Sequence, residues 1–334
     1  MATYKRQRYL FITLDPVHIG TGGYRLGRVD NSIVREPGTK IPKIPGTSLH
    51  GAARSYSAQL YETPWAAGQS HDNPDNSDFD LGHNPVCYTF GYIKKSKNGN
   101  TNDQTPIYSG VVNIFDAHVL LFPVHSMVGP VWVSTVERLE DAGFTVSTPP
   151  SSWNADQAVL TWNRTDPINL GWLMLGVAGE VTVTPPQNWQ HEPRWTAIKK
   201  IVLVQDVLFS QIVNSNLEVR TSVAINPETG AAEDGALFTY EAIPRATLLT
   251  AEVVLDDYRD GEKDRPFPEG KTAQGEPLPG DPWQCPLCVV KAGFGMIEWL
   301  GVGGMGTRGF GRMATVGKPR EESFGKEQSN EHIH

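Results

Sequence analysis

Near the N-terminus apolar and polar side chains alternate. "RYLFITLDP" (8 to 16) puts every second residue on one face and stops at a proline, the pattern of a half-buried strand. A glycine-bearing loop follows, and then the period changes. In "PGTSLHGAARSYSAQLYE" (45 to 62), Leu49, Ala52, Ala53, Tyr56 and Leu60 recur at helical spacing, with Thr47 or Ser48 as the expected N-cap. The chain thus opens with a strand, a long loop and an amphipathic helix.

Residues 63 to 106 break this periodicity. They are polar, rich in Gly and Asn, and contain "KKSKNGNTNDQT", which predicts a surface insertion that is mobile in part. Strand character returns in "GVVNIFDAHVLLFPV" and in "GPVWVSTVERL", the second passing into a helix. Between 140 and 200 the signals are mixed, with Trp153, Trp162, Trp172, Trp189 and Trp195 spread through them, and no element is assigned. "NLEVRTSVAINPETGAAEDGALFTYEAIPR" (216 to 245) is two β-prone runs around a polar turn holding Pro227 and Gly230, a long hairpin able to project from the body. "ATLLTAEVVL" is a further strand, and the segment from Asp256 to Gln284 is a Pro-, Gly- and charge-rich loop. In "CVVKAGFGMIEWLG" (288 to 301), Val289, Ala292, Met296, Ile297 and Leu300 return at helical spacing before "FGRMATVG" closes as a strand. Strand–helix at one end and helix–strand at the other suit an α+β, ferredoxin-like sheet with two helices on one face. No repeat of solenoid period occurs.

Composition narrows the class. At 334 residues, the length allows one elaborated domain or two at roughly 150 residues each. With 39% hydrophobic and 20% charged residues, the chain is expected to be globular and soluble. The apolar run before Asp15 is too short for a secretory signal, and no stretch approaches the roughly 18 apolar residues of a membrane span. Three cysteines are too few for a disulfide scaffold, which points to the reducing cytoplasm. A net charge of −8 argues against a polyanionic partner, but the charges are unevenly placed. From Val17 to Leu60, Arg25, Arg28, Arg35, Lys40, Lys43 and Arg54 face only Asp30 and Glu36. From Val289 to Arg320, Lys291, Arg308, Arg312, Lys318 and Arg320 face only Glu298. The acidity collects in "DNPDNSDFD" (72 to 80) and between Asp256 and Asp281, so a polyanion meets local basic patches before it feels the total.

"LGVGGMGTRGFGR" (300 to 312) is the barest backbone in the chain. Gly301, Gly303 and Gly306 have the G-x-G-x-x-G spacing of a dinucleotide site, but the run follows a helix and precedes a strand, and it lacks the G-K-[ST] of a P-loop. Two readings stand: a flexible helix–strand connection, or amides beside Thr307, Arg308 and Arg312 that suit a phosphate backbone. A second cluster is C-P-L-C at Cys285 and Cys288 together with H-x-x-x-C at His83 and Cys87. An antiparallel helix pair would bring the end of the first helix near the start of the second, so these four fit a structural Cys₃His zinc site, with His71 as a reserve ligand. A redox pair or free core thiols are the alternatives.

Several of these segments carry a family likeness. The chain resembles the RAMP superfamily, and within it the repeated backbone subunit of type III CRISPR effector complexes. "VHIGTGGYRLGRVDNSIVRE" and "IPGTSLHGAARS" are similar to that family's N-terminal loop and first helix, "GALFTYEAIP" to the base of its thumb hairpin, and "GVGGMGTRGFGR" to its C-terminal glycine-rich loop. The matches run in order from about residue 8 to 316. "NIFDAHVLLFPVHSMVGPVWVST" resembles the Cmr-type (III-B) subunit, while "VDNSIV" and "NPVCYTFGY" lean toward the Csm-type (III-A or III-D). The resemblance implies a single RAMP domain over 1–334. Its RRM-like palm comes from 8–62 and 285–316 with the central strands, and the remainder is an insertion at 63–106, a thumb at 213–247, an acidic loop at 256–284 and a tail at 317–334. It further implies copies stacked head to tail along a CRISPR RNA, other type III effector subunits as partners, and cleavage of the paired target RNA at regular intervals in antiviral defence. The implied RNA contacts are Gly20, Ser48, His50, Arg54, Arg220, Gly303, Gly304, Thr307, Arg308 and Arg312. His50 stands where the family commonly has Lys, and a neutral imidazole attracts phosphate only weakly.

By the same resemblance Asp30 falls on the family's catalytic aspartate and His18 on the histidine of its PxHxG segment, with Glu241 a further positioning candidate. RNA supplies its own nucleophile, the 2′-OH. The protein needs only to align that oxygen, help remove its proton and stabilise developing charge, either through Mg²⁺ or another divalent cation held by Asp30 or with Asp30 as the base. The residues alone read more plainly: Asp30 as a turn carboxylate paired with Arg25, Arg28 or Arg35, His18 as a strand-end hydrogen-bonder, Glu241 as an exposed hairpin residue. A purely structural RNA-binding subunit with Asp30 idle is the rival reading. A nuclease that matures CRISPR RNA would rest instead on a histidine base, for which His18 is the candidate.

Overall fold

The structure is a computed structural model that describes residues 4–22, 29–61, 63–68, 84–93, 107–147, 149–150, 152–259, 267–268 and 284–325. Its main element is a 12-stranded sheet. The first strand, Tyr4–Thr13, pairs antiparallel with Leu248–Leu255 on one side and with Met313–Thr315 and Arg320–Phe324 on the other. Leu248–Leu255 pairs antiparallel with Ala117–Ser126, which turns back into Gly129–Ser134. The helices Gly46–Leu60 and Pro286–Leu300 cover one face of this region. No helix among the described residues is long and apolar enough to cross a membrane.

The first strand is buried on both faces, not one, because Tyr9, Leu10 and Phe11 are each at most 1% exposed. Tyr9 and Phe11 meet Phe294 of the second helix edge-on, with ring centroids 5.1 and 5.3 Å apart. Leu10 points the other way, into a second core with Leu120, Trp189, Leu248 and Val316. That second core is built by the stretch between 140 and 200, which forms the short strands Thr145–Ser147, Gln157–Leu160, Ile168–Leu170, Leu173–Glu180 and Thr182–Thr184 and the one-turn helices Gln187–Gln190 and Pro193–Thr196.

The first helix begins earlier than its sequence suggests. Pro45, not Thr47 or Ser48, is the N-cap and offers no side-chain cap; the Gly46 amide donates instead to Asp116 Oδ1 at 2.7 Å. A Cβ on Gly46 would stand 2.3 Å from the Ile114 carbonyl oxygen, so only glycine lets the helix start so close to the strand Val112–Ile114. The surface reading of residues 63 to 106 fails at Pro85–Phe90, a helix whose six residues are all buried. Asn84 caps it, its Oδ1 accepting from the amides of Val86 and Cys87 at 2.9 and 3.0 Å. The projecting hairpin is Glu218–Ile225 with Ala232–Ala242, and the helix Asp206–Ser215 takes up the residues just before it.

Candidate functional site

Thr239 and Glu241 lie on one face of the second hairpin strand and Tyr240 on the other, the ordinary alternation of a strand. This alternation organises the site. The loop after the first strand is stitched to the hairpin base by bridges Val17 to Ile243 and Asn31 to Tyr240. Beside that seam Asp30 is exposed, and its Oδ2 accepts both the amide and the hydroxyl of Thr239 at 2.8 Å. These bonds hold the Asp30 carboxyl below the usual aspartate range, because they favour its charged form. Arg35 does not pair with Asp30; its Nη2 lies 2.6 Å from Glu241 Oε2, and its Nε donates to Asn214 Oδ1 at 2.9 Å. Glu241 is therefore a held residue, with its side chain 12% exposed, and not an exposed hairpin position. Arg25 and Arg28 lie outside the described residues.

His18 is buried beneath this seam. Its Nδ1 donates to the Glu241 carbonyl at 2.6 Å, and its own carbonyl accepts the Gly304 amide at 2.9 Å. It thus ties the first loop to both the hairpin and the glycine-rich loop. Gly303 has φ of 88°, and a Cβ there would lie 2.5 Å from the His18 carbonyl oxygen, so the close approach of the two loops requires glycine. Gly303, Gly304 and residues 306–309 are exposed. Arg308 Nη1 donates to the Tyr240 hydroxyl at 2.5 Å, and the Arg220 guanidinium lies over the Phe310 ring at 4.9 Å. Asp30 and Glu241 therefore lie on the Thr239 face of the hairpin base and Arg220 and Arg308 on its Tyr240 face, with Gly20 in the first loop, Thr307 and the bare backbone in the glycine-rich loop, and His18 as the pin that joins the three segments. Arg312 faces Asp15, its Nε donating to Asp15 Oδ2 at 2.5 Å, which raises its pKa.

Other expected contacts fall elsewhere. Arg54 is buried, and its guanidinium donates to the carbonyls of Ala66, Gly68 and Gly91 at 2.8, 2.9 and 3.0 Å. It ties the first helix to the segments after it and leaves no exposed fork for a phosphate. His50 packs edge-on to Phe90 at 5.0 Å, and burial lowers its pKa, so it is a neutral packing residue. Ser48 lies in the first turn of its helix, partly exposed, with its amide on the Pro45 carbonyl at 2.9 Å. Of the metal candidates, His83 and His71 lie outside the described residues, and among the described residues no three His, Cys, Asp or Glu side chains come together. Cys87 is a core thiol pushed up to about 12 by burial. Cys285 caps the helix that carries Cys288; the two thiols share a hydrogen bond that lowers Cys288 to about 6 and raises Cys285.

The residues that sequence reasoning missed are Thr239, Tyr240 and Asp15. Period-two reading of "FTYEA" puts Thr239 beside Glu241 on one hairpin face and Tyr240 opposite, and that was the available signal. No local pattern pairs Asp15 with Arg312 across 297 positions.

The family model of the RAMP superfamily matches residues 10–314. The chain belongs to the RAMP superfamily. Among RAMP proteins it is 27% identical over 260 residues to the CRISPR system Cmr endoribonuclease Cmr4 of Pyrococcus furiosus, covering 73% of this chain and 79% of that protein. Its fold is similar to a chain of the type III-B Cmr-beta complex bound to cognate target RNA, with a TM-score of 0.58 at 14% identity over 93% of this chain and 97% of that one. The apo state of Cmr-beta gives 0.56 at 14% identity over 93% and 96% of the two chains. The oligomeric Cmr4 of Pyrococcus furiosus gives 0.52 at 18% identity over 96% and 99%. The likeness that the four motifs imply is thus borne out, and it falls on the Cmr side. The mixed α/β architecture with one large sheet is common to these RAMP folds.

Proposed function

We propose that this RAMP chain is a backbone subunit of a type III-B CRISPR ribonucleoprotein, binding CRISPR RNA and cleaving the paired target RNA through Asp30. One observation carries the reading: the loop bearing the family's aspartate is fastened by Thr239 to the base of the hairpin, beside a bare glycine-rich loop, in a chain that matches the RAMP model from 10 to 314. The sheet order Ala117–Ser126, Leu248–Leu255, Tyr4–Thr13, Met313–Thr315 with two helices on one face supports a ferredoxin-like palm, with the hairpin as its thumb.

Asp30 keeps its carboxylate ionised and aimed, since both Thr239 bonds fall on Oδ2 and Oδ1 receives neither. That exposed oxygen fits a hard divalent cation such as Mg²⁺, which when bound would neutralise charge at the scissile phosphate. Aligning the substrate's 2′-OH falls to the surface formed by the hairpin base and the two loops joined to it. The amides of Gly306 and Thr307 donate to nothing among the described residues and suit phosphate oxygens. His18 acts through the loops it joins and is a positioning residue. Its burial and its bond to Glu241 speak against a role as general base, and hence against a guide-maturing nuclease.

The test is a labelled complementary RNA incubated with complex reconstituted from wild-type or Asp30→Ala chain. Cutting is expected to fall by at least about a hundredfold with assembly and target binding retained, because only a transition-state interaction is removed. A 2′-deoxy substitution at the scissile nucleotide should likewise stop cleavage. Equal cutting by wild type and variant would leave this chain as scaffold.

A further inference from the structure

The outward stripe of the helix Pro286–Leu300 carries Lys291, Gly295 and Trp299 at four-residue steps, all exposed. Trp299 is 74% exposed, the most of any large hydrophobic side chain among the described residues, and Leu300 beside it is 49% exposed. A single exposed apolar residue is unremarkable on a protein surface, so the case rests on how this one is held. The indole makes no ring contact or hydrogen bond with any described residue. Its backbone is nevertheless fixed. The Gly301 amide closes the helix on the Ile297 carbonyl at 3.0 Å, the Tyr56 hydroxyl donates to the Gly301 carbonyl at 2.6 Å, and neighbouring Glu298 accepts Arg194 at 2.6 Å. One turn earlier, a Cβ on Gly295 would meet nothing within 4 Å, so the indole is not folded back over the helix and the surface beside it is bare.

Position decides what such a ring faces. Gly293 packs against Ala53 and the Ser57 hydroxyl donates to the Val289 carbonyl, so the two helices are antiparallel. The end of the second helix therefore lies with the start of the first. The glycine-rich loop follows this helix, its exposed part starting at Gly303, and Glu298 is near enough to Arg312 to raise its pKa. A rigid, uncovered aromatic face that continues a basic, side-chain-poor track matches one chemistry: the π face of an unpaired nucleobase whose phosphates follow that track. We propose that Trp299 is a stacking platform for an unpaired base of bound RNA. This inference rests on the RNA-binding reading above.

The experiment compares binding of the full-length chain to a single-stranded guide RNA and to the same RNA carrying abasic riboses. Trp299→Ala should weaken binding of the base-bearing RNA roughly tenfold and leave binding of the abasic RNA unchanged. The slope of log affinity against log salt should not move, because no phosphate contact is lost. Trp299→Phe should keep most of the affinity. Equal binding by wild type and Trp299→Ala, or an equal loss on abasic RNA, would overturn the proposal. So would unchanged RNA affinity with lost self-association, which would make the patch a surface between copies of the chain. A wild-type chain that binds neither RNA would sink the RNA-binding reading itself, a result distinct from a wild type that binds and a variant that is indifferent.

Discussion

Thr239 gives Asp30 two hydrogen bonds on a single oxygen, one from backbone and one from side chain, and only the second can be removed by substitution. Thr239→Val keeps the shape and the amide bond and deletes the hydroxyl. That hydroxyl also accepts the Asp30 amide at 2.9 Å, so the substitution removes two hydrogen bonds that aim the carboxylate, and cleavage should fall at least roughly fivefold. The Asp30 pKa is depressed in the folded protein, so its ionised form is complete above the ordinary aspartate range and is lost only as pH falls through the lowered value. Removing the hydroxyl should move the acid limb of the pH–rate profile upward, toward ordinary aspartate behaviour. An unmoved limb would mean that a different group governs it. Arg54 carries the opposite lesson. Its charge and place in the family motif suggest phosphate, yet three backbone carbonyls already surround the guanidinium, and sequence cannot show which acceptors the folded chain will bring to it.

The two helices were legible as elements because their apolar stripes recur at the helical period, and both form within two residues of the predicted ends. Their fit to each other was not legible. Gly293 and Gly295 look alike in "KAGFGM", but they sit on opposite sides of one helix. A Cβ at Gly293 would lie 2.4 Å from the Ala53 carbonyl oxygen, a backbone atom that cannot step aside. Gly293→Val should therefore destabilise the protein by about 3 kcal/mol. Gly295→Ala, with open space around the new methyl, should stabilise it by about 0.5–1 kcal/mol through helix propensity. Denaturant unfolding of the two variants checks both signs. The hairpin was likewise visible from its two β-prone runs, whereas the buried helix Pro85–Phe90 was hidden by the polar sequence on either side of it.

Across the whole molecule the sheet is a shared wall between two cores, one under the helices and one around Trp189. Trp189 is fully buried, meets Phe144 at 5.7 Å, and donates its indole N–H to the Lys318 carbonyl at 3.1 Å. Trp189→Ala should cost about 3–5 kcal/mol of unfolding free energy. Because that core lies across the sheet from the helices, guide RNA affinity of the folded fraction should be nearly unchanged. A melt that lost the second core first, with the helical side still folded, would contradict a single cooperative unit.

What the sequence determined by itself is what rides on local period and local chemistry. The opening strand, the two helices, the hairpin and the bare glycine-rich loop each declare themselves within thirty consecutive residues, and four family motifs in order declare the superfamily. What only the tertiary structure decided is which of those features meet. Thr239 reaches Asp30 across 209 positions and Glu241 accepts His18 across 223, while the stretch from 140 to 200, silent in its own pattern, closes the far face of the sheet. Contacts at such separations follow from how the whole chain packs, and no window of sequence holds both partners.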